Sequence, residues 1–177
     1  MNKKPLCISI DFEDIYNDYL LRLNLNKNYI VREEALYKSY KVIKKILSNY
    51  FQNNNLTFFT TGILAEKIPD LIKEIHKDGN EIGCHHYYQD EVQNSTIDKF
   101  DYNLKLSKSY LTKATGDDVI GYRAPSFSIN YNIQNYINII SKYFKYDSSI
   151  YFNLKDKNFS VPEFEASNQF KEFYIYT

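Results

Sequence analysis

The stretch "LTFFTTGILAEKIPDLIKEIHKDGNEIGCHHYYQDEV", residues 56–92, places a helix pattern between two short apolar runs. The runs "LTFFTT" (56–61) and "NEIGC" (80–84) predict buried strands. Between them, apolar residues recur at helical spacing, at Ile68, Leu71, Ile72 and Ile75. A strand, a helix and a second strand in this order predict parallel pairing of the two strands.

The same alternation continues on both sides of this stretch. Further strands are predicted at "PLCISI" (5–10), "DVIGY" (118–122) and "KYDSSI" (145–150). Further helices are predicted over 36–50, from Ser95 onward through Tyr110, and over 132–144. The chain is therefore predicted to have an α/β fold with a parallel sheet, either open or closed into a barrel.

Length and charge restrict the class of protein. With 177 residues, 44% of them hydrophobic, residues 1–177 are predicted to form a single domain. Lys plus Arg equals Asp plus Glu at 22 each, which argues against nucleic acid or an anionic membrane as a partner. No apolar stretch predicts a membrane span or a secretory signal, so a cytoplasmic location is predicted.

The chain ends in "EFYIYT" (172–177), an apolar and β-rich run with no closing turn. This ending predicts a domain truncated within a strand, which is either a fragment or a shortened protein that lacks the last strands.

Polar residues follow each predicted strand. They are "DFED" (11–14), "TTG" (60–62), "HHYYQDE" (85–91), "RAPSFS" (123–128) and "DSS" (147–149). Because the carboxyl ends of parallel strands share one edge, these groups are expected to meet around one crevice. Carboxylates beside imidazoles suit a divalent transition metal such as zinc, and a carboxylate not bound to it can act as a general base. Taken singly, each residue has a plainer alternative, such as a helix cap, a surface acid or a hydrogen-bonded loop histidine.

Four motifs together resemble the polysaccharide deacetylase family, also called carbohydrate esterase family 4 or the NodB-homology domain. They are "SIDFED" (9–14), the stretch 56–92, "GYRAPSFSI" (121–129) and "FKYDSSIY" (144–151). The closest resemblance is to the branch with the DxED and GYRAPSFS motifs. It implies a distorted (β/α) barrel with fewer than eight strands, incomplete here. It also implies metal-dependent removal of N-acetyl groups from a polysaccharide or glycan precursor.

The resemblance also implies roles for the first two motifs. Asp11 corresponds to the general base and Glu13 to a metal ligand, with Asp14 as the rival ligand. The family's pair of metal-binding histidines, separated by three residues, falls on His85 and Gln89. Gln89 departs from the family pattern, because a neutral amide oxygen is a weaker ligand than imidazole. A register shifted by one residue would pair His86 with Asp90, but it would misplace the matching Tyr87.

Further residues are implied by the later motifs. Arg123 corresponds to the residue that holds the base in place by a charge-assisted pair. Substrate contacts are implied for Tyr87, Pro125, Ser126 and Phe127. His86 is expected to be either a hydrogen-bonded loop residue or a residue that hydrogen-bonds a metal ligand, and Asp147 either belongs to the outer part of the site or caps a turn.

The family's proton donor is usually a histidine on a late strand, yet no histidine follows His86. Two functions from different classes therefore remain. One is a zinc-dependent deacetylase acting on an N-acetylated carbohydrate. The alternative is a catalytically impaired protein that keeps the fold and binds sugar or serves in assembly. A hydrolase of a small amide is a third possibility.

Overall fold

A computed structural model describes residues 8–17, 29–50, 56–89, 92, 95–129, 133–149 and 174–175 of the chain. No helix within these ranges is both long and apolar enough to cross a bilayer. The predicted strand residues 5–7 and the predicted ligand Asp90 of the shifted register lie outside the described residues.

Six strands form one sheet in which every neighbouring pair is parallel. They are β1 (Ser9–Phe12), β2 (Thr57–Thr60), β3 (Glu81–Cys84), β4 (Gly121–Tyr122), β5 (Tyr146–Asp147) and β6 (Tyr174–Ile175). Their order in the sheet equals their order in the chain, as in a (β/α) barrel. Among the described residues β1 and β6 are not paired with each other, so the sheet is open there. The predicted α/β fold is confirmed.

The first strand is displaced from its predicted position. The prediction ended it at residue 10, whereas β1 extends through Phe12. Asp11 therefore lies within the strand and not in the loop after it. Its backbone pairs with Phe59 of β2, which fixes its place in the sheet.

Five α-helices and one 3₁₀ turn have both of their ends within the described residues, and residues 15–17 are also helical. These six elements are α1 (Glu33–Tyr50), α2 (Gly62–Lys67), α3 (Pro69–Lys77), α4 (Ile97–Thr115), the 3₁₀ turn (Pro125–Phe127) and α5 (Ile133–Tyr143). The helix predicted from the stripe Ile68–Ile75 is α3, and the short helix α2 that precedes it was not predicted. Pro69 separates the two, because it lacks the N–H that would continue α2 and instead occupies the first turn of α3. Thr96, and not Ser95, caps α4, since its side chain accepts a hydrogen bond from the Lys99 amide at 3.3 Å.

One face of the sheet packs against the helices and forms the hydrophobic core. Phe12 and Phe58 contact each other and the α1 residue Tyr40 edge-on, with ring centroids 5.9 to 6.5 Å apart. Tyr122 of β4 stacks on Phe144, just after α5, and meets Phe100 of α4 edge-on. All six of these aromatic rings are buried. Their burial removes apolar area from water and so contributes to the stability of the fold.

The opposite face of the sheet is polar and carries the candidate site. Thr57 and Tyr146 both donate hydrogen bonds from their hydroxyls to the carboxylate of Glu81, at 2.6 and 2.8 Å. One level nearer the carboxyl ends, Phe59 occupies the space that Gly83 leaves open, since a Cβ at Gly83 would lie 2.5 Å from its ring. Side chains alternate between the two faces along each strand, so this face also carries Asp11.

Candidate active site

Arg123 joins two of the predicted site residues through different atoms. Its Nη1 donates a 2.8 Å hydrogen bond to Oδ1 of Asp11, which comes from the first strand of the sheet. Its backbone carbonyl accepts a 2.8 Å hydrogen bond from Nδ1 of His85. The arginine side chain is 13% exposed and the aspartate side chain 33%. The structure therefore brings Asp11, His85 and Arg123 together at the carboxyl ends of the strands.

Two aromatic rings lie over the Arg123 guanidinium. Cζ of Arg123 is 4.1 Å from the centre of the Phe59 ring and 5.6 Å from that of Phe127. A guanidinium is attracted to the negative face of such rings, and the contact is stronger where water is excluded. These rings restrict the orientation of the plane that presents Nη1 to Asp11.

His85 is buried, and its hydrogen-bond partner shows which ring nitrogen donates. A carbonyl oxygen only accepts, so Nδ1 of His85 donates to it, and in the neutral form of the ring Nε2 carries the lone pair. This arrangement is the usual one for a metal-binding histidine, whose other nitrogen donates to a carbonyl or carboxylate.

Glu13 faces the free nitrogen of His85. Its Oε2 lies 3.4 Å from Nε2, but the two atoms are not aligned as a hydrogen bond, and Oε2 is buried without a hydrogen-bond partner among the described residues. Two ligands each about 2.1 Å from a tetrahedral ion are about 3.4 Å from one another. The spacing and chemistry of these two atoms therefore fit a shared divalent metal ion.

Gln89 is also buried, with 8% of its surface exposed. Its Oε1 has no hydrogen-bond partner among the residues that the structure describes. A buried amide oxygen without a partner is costly unless a ligand or water satisfies it. Its chemistry fits an oxygen ligand of a metal, although a weak one.

No group of three or more His, Cys, Asp or Glu side chains is positioned to hold a metal ion within the described ranges. The structure places one imidazole and one carboxylate together, His85 and Glu13, and the family register adds the neutral amide of Gln89 as a third donor. This set fits a divalent ion less well than two imidazoles and a carboxylate would.

Asp14, the rival metal ligand, is engaged elsewhere. It is 1% exposed, and both of its carboxylate oxygens accept hydrogen bonds from Arg32, at the side-chain Nε and at the backbone amide. The Tyr16 amide donates a further bond at 3.1 Å. The carboxylate thus joins the loop after β1 to the start of α1.

His86 points into the core formed with α4. Its ring stacks on Phe100, with centroids 5.4 Å apart, and its Nε2 is 3.4 Å from the side-chain nitrogen of Asn103. The residue has φ of 62° and is fully buried. Its backbone carbonyl accepts a hydrogen bond from the Gly62 amide, which holds the loop after β3 against α2.

Tyr87 is likewise turned toward a helix. Its hydroxyl donates to a carboxylate oxygen of Glu66 on α2. Burial, followed by this carboxylate, raises the pKa of Tyr87 above its usual range. Its ring meets the half-exposed Tyr88 edge-on, with centroids 4.6 Å apart.

The loop after Arg123 has an unusual backbone. Pro125 is buried, and the next two residues, Ser126 and Phe127, have φ of 53° and 50°. Left-handed backbone is uncommon outside glycine, and two consecutive cases cost free energy that the surrounding contacts must offset. The loop exposes Ser126 and Phe127 beside Arg123, where the sequence predicted substrate contacts.

Asp147 supports this loop from β5. Oδ1 of Asp147 accepts a 2.9 Å hydrogen bond from the Ser149 amide and a second hydrogen bond from the Ser149 hydroxyl. The same hydroxyl accepts a 2.8 Å hydrogen bond from the Ala124 amide, which lies in the loop. Burial raises the pKa of Asp147 to about 7, and the Ser149 hydrogen bonds and the Arg123 charge offset only part of that rise.

Three residues around Arg123 were not singled out from the sequence, namely Ser9, Phe59 and Ser148. Each contacts the guanidinium. Strand alternation was the available signal for two of them. Ser9 is two residues before Asp11 and therefore on its face, and Phe59 is paired with Asp11 across the strands.

The fold and the site define an α/β protein with a polar centre at the carboxyl ends of its parallel strands. The polysaccharide deacetylase family model matches residues 25–141. The chain therefore belongs to the polysaccharide deacetylase family. Comparison with curated proteins gave no match.

Solved structures share the fold. A putative polysaccharide deacetylase from Mycobacterium smegmatis is 28% identical, with a TM-score of 0.52 over 60% of this chain and 36% of that one. A family 4 carbohydrate esterase from Streptomyces lividans, in complex with acetate, is 19% identical, with a TM-score of 0.52 over 59% of this chain and 54% of that one. A pseudoenzyme of the same family from Bacillus anthracis is 21% identical, with a TM-score of 0.57 over 80% of this chain and 41% of that one. The chain thus spans between 36% and 54% of the length of these three proteins.

Proposed function

We propose that this chain is a metal-dependent N-deacetylase of a carbohydrate, with Asp11 as general base and His85, Glu13 and Gln89 as the residues that hold the ion, for which zinc is the expected metal. One observation carries the proposal: Arg123 binds Asp11 with its side chain and His85 with its backbone carbonyl. A single residue thereby fixes a carboxylate base and an imidazole ligand relative to one another.

Asp11 is the residue that transfers the proton. Asp11 accepts through Oδ1 the hydrogen bond from Arg123, while no described residue donates to its Oδ2. Oδ2 takes the proton of the water that attacks the acetamide carbonyl. The leaving nitrogen needs a proton, and the one now held by Asp11 returns to it, so that acetate and a free amine result. The bound ion would supply polarisation of the carbonyl and activation of the water.

The neighbouring residues bind and orient the substrate. Phe127 is 38% exposed beside Arg123 and offers an apolar face to a sugar ring or an acetyl methyl group. Ser126 is exposed on the same loop and offers a hydroxyl. The positive φ of both residues directs this loop toward the site, as expected where backbone strain serves binding.

A second candidate function is favoured by the composition of the metal site. The neutral Gln89 stands where the family has a histidine, and no third imidazole or carboxylate is described beside His85 and Glu13. A protein that binds an N-acetylated glycan without hydrolysing it would retain Arg123 and Phe127 and tolerate a weak metal site. This candidate has the same fold and the same cleft.

The experiment is acetate release from a panel of N-acetylated glycans, with and without added zinc. The wild-type protein should release acetate from at least one glycan, and Asp11→Asn should lower the rate by about 100-fold or more. Asp70→Asn, an exposed carboxylate on α3, is the matched control and should keep the wild-type rate. If zinc binds and a glycan binds but no acetate is released, the binding function is correct instead.

A further inference from the structure

The guanidinium of Arg123 makes more hydrogen bonds to serines than to the carboxylate it pairs with. Nη2 donates to the hydroxyls of Ser9, at 2.9 Å, and Ser148, at 2.8 Å. Nε donates to the backbone carbonyl of Ser148 at 3.3 Å. Only Nη1 reaches Asp11. Three of these four hydrogen bonds therefore end on neutral serine oxygens.

This pattern is unusual for an arginine beside a carboxylate. The two groups commonly form two parallel N–H···O bonds, one to each carboxylate oxygen. Here Nη2 of Arg123 donates to the two serine hydroxyls, and Asp11 receives a single hydrogen bond, from Nη1. Oδ2 of Asp11 is consequently left without a hydrogen bond from any residue within the described ranges.

Both serines are fixed independently of Arg123. Ser148 follows β5, and its amide donates a 2.8 Å hydrogen bond to the carbonyl of Tyr122, the residue before Arg123. Ser9 opens β1 and lies two residues before Asp11, so the two side chains share a face of the strand. The arginine side chain thus extends from the end of β4 across the polar face of the sheet to β1, with the Ser148 carbonyl at Nε and both serine hydroxyls at Nη2.

We propose that Ser148 and Ser9 are positioning residues that hold Arg123 in the single-bond arrangement, which keeps Oδ2 of Asp11 available to accept a proton. This inference rests on the proposed function, since it assigns the purpose of that oxygen. Without the two hydroxyls, Nη2 is free to turn toward the carboxylate and engage both oxygens of the base. The serines therefore act on the reaction through Arg123, and neither contacts the substrate.

The arginine side chain itself provides a readout that does not depend on turnover. The sequence contains only three arginines, Arg22, Arg32 and Arg123, so a ¹⁵N spectrum of the guanidinium groups is simple. Arg123→Lys assigns the Arg123 signals by their disappearance. In the wild-type protein the Arg123 Nη1 and Nη2 signals should be separate and slow to exchange, because each nitrogen has its own partner.

The test compares Ser148→Ala, Ser9→Ala and the double variant with Ser148→Thr, which keeps a hydroxyl. Ser141→Ala, which removes a hydroxyl bonded only within α5, is the matched control. The alanine variants should shift the Arg123 Nη2 signal, most strongly in the double variant, whereas Ser148→Thr and Ser141→Ala should leave it in place. On a hydrolysed glycan, kcat should fall about 10- to 100-fold in the double variant with KM unchanged.

The outcomes separate this inference from the proposed function. Unchanged Arg123 signals in the double variant would overturn the positioning role, whatever the activity. A shifted signal together with a wild-type protein that releases no acetate would support the serine positions and reject the deacetylase. Should Ser148→Ala fail to fold, Ser9→Ala decides alone, because Ser9 is exposed and its loss leaves the core intact.

Discussion

Nε2 of His85 and Oε2 of Glu13 face one another at 3.4 Å without forming a hydrogen bond. The other ring nitrogen, Nδ1, donates to the carbonyl of Arg123, so in the neutral form of the ring both facing atoms present lone pairs. Two such atoms repel unless a cation or a donor lies between them. The facing atoms of His85 and Glu13 therefore predict two ligands of a cation site, with the amide oxygen of Gln89 as a weaker third ligand.

Gln89→His should strengthen zinc binding. Gln89 is buried with an unsatisfied side-chain oxygen, four residues after His85, and a histidine there would replace a neutral oxygen with an imidazole. The expected gain is tenfold or more in affinity, about 1.4 kcal/mol. Competition with a chromophoric chelator in one buffer measures it.

His85→Ala in the same titration should lose most of the zinc affinity. This loss is expected only if His85 and Gln89 are the pair that faces the metal. The shifted pair of His86 and Asp90 makes the opposite prediction. If Gln89→His changes nothing while Asp90→Asn causes a large loss, the shifted register is correct.

Substitution of Glu13 should affect zinc binding, whereas substitution of Asp14 should affect the stability of the fold. Glu13→Gln should weaken zinc binding and leave the folding free energy nearly unchanged, since its Oε2 has no described hydrogen-bond partner to lose. Asp14→Asn should keep the zinc affinity but destabilise the fold by about 1–3 kcal/mol, because the buried carboxylate binds Arg32. Zinc titration and urea unfolding of both variants measure the two effects. A larger zinc loss in Asp14→Asn than in Glu13→Gln would reverse the assignment.

Much of the fold was accessible from the sequence because its strands and helices have clear apolar patterns. The runs ending at Thr60 and Cys84 were bounded correctly within one or two residues. The short helix α2 was missed because the predicted apolar stripe begins only at Ile68, next to Pro69 at the start of α3. The first strand was placed too early because the charge of Asp11 interrupted the apolar run, although strands of an α/β barrel carry polar residues on their inner face.

For the site, the sequence indicated which residues converge but not which atoms they use. Asp11 and Arg123 are 112 positions apart, and only the parallel order of the strands brings them together. The direction of a side chain depends on partners distant in the chain. Asp14 binds Arg32, and Tyr87 binds Glu66 across 21 positions, which local patterns do not encode.

Gly83→Ala should disturb the site through Phe59. A Cβ on Gly83 would approach the Phe59 ring to 2.5 Å, so the ring must move, and that ring covers the Arg123 guanidinium at 4.1 Å. Crowding of this kind costs about 1–3 kcal/mol of folding free energy. The substitution should also shift the Arg123 ¹⁵N signals. Gly116→Ala is a contrasting control, since its Cβ would meet nothing within 4 Å and its cost arises from φ of 83° alone. Unshifted Arg123 signals in Gly83→Ala would show that the ring contact does not orient the guanidinium.

Asp147→Asn should change how stability depends on pH. Burial raises the pKa of Asp147 from 3.8 in the unfolded chain to about 7, so the folded protein retains a proton that the unfolded chain releases between these values. Wild-type stability should therefore have a contribution that is complete below about pH 4 and is lost as the pH rises to about 7. Asparagine keeps the oxygen that accepts from Ser149 and does not ionise. Relative to wild type, Asp147→Asn should gain more than about 1.4 kcal/mol of unfolding free energy on going from pH 5 to pH 8, since each pKa unit corresponds to that amount. Urea unfolding of both proteins at the two pH values, with the exposed Asp70→Asn as control, measures the difference. A gain equal to that of the control would mean that the Asp147 carboxyl ionises as readily in the folded protein as in the unfolded chain.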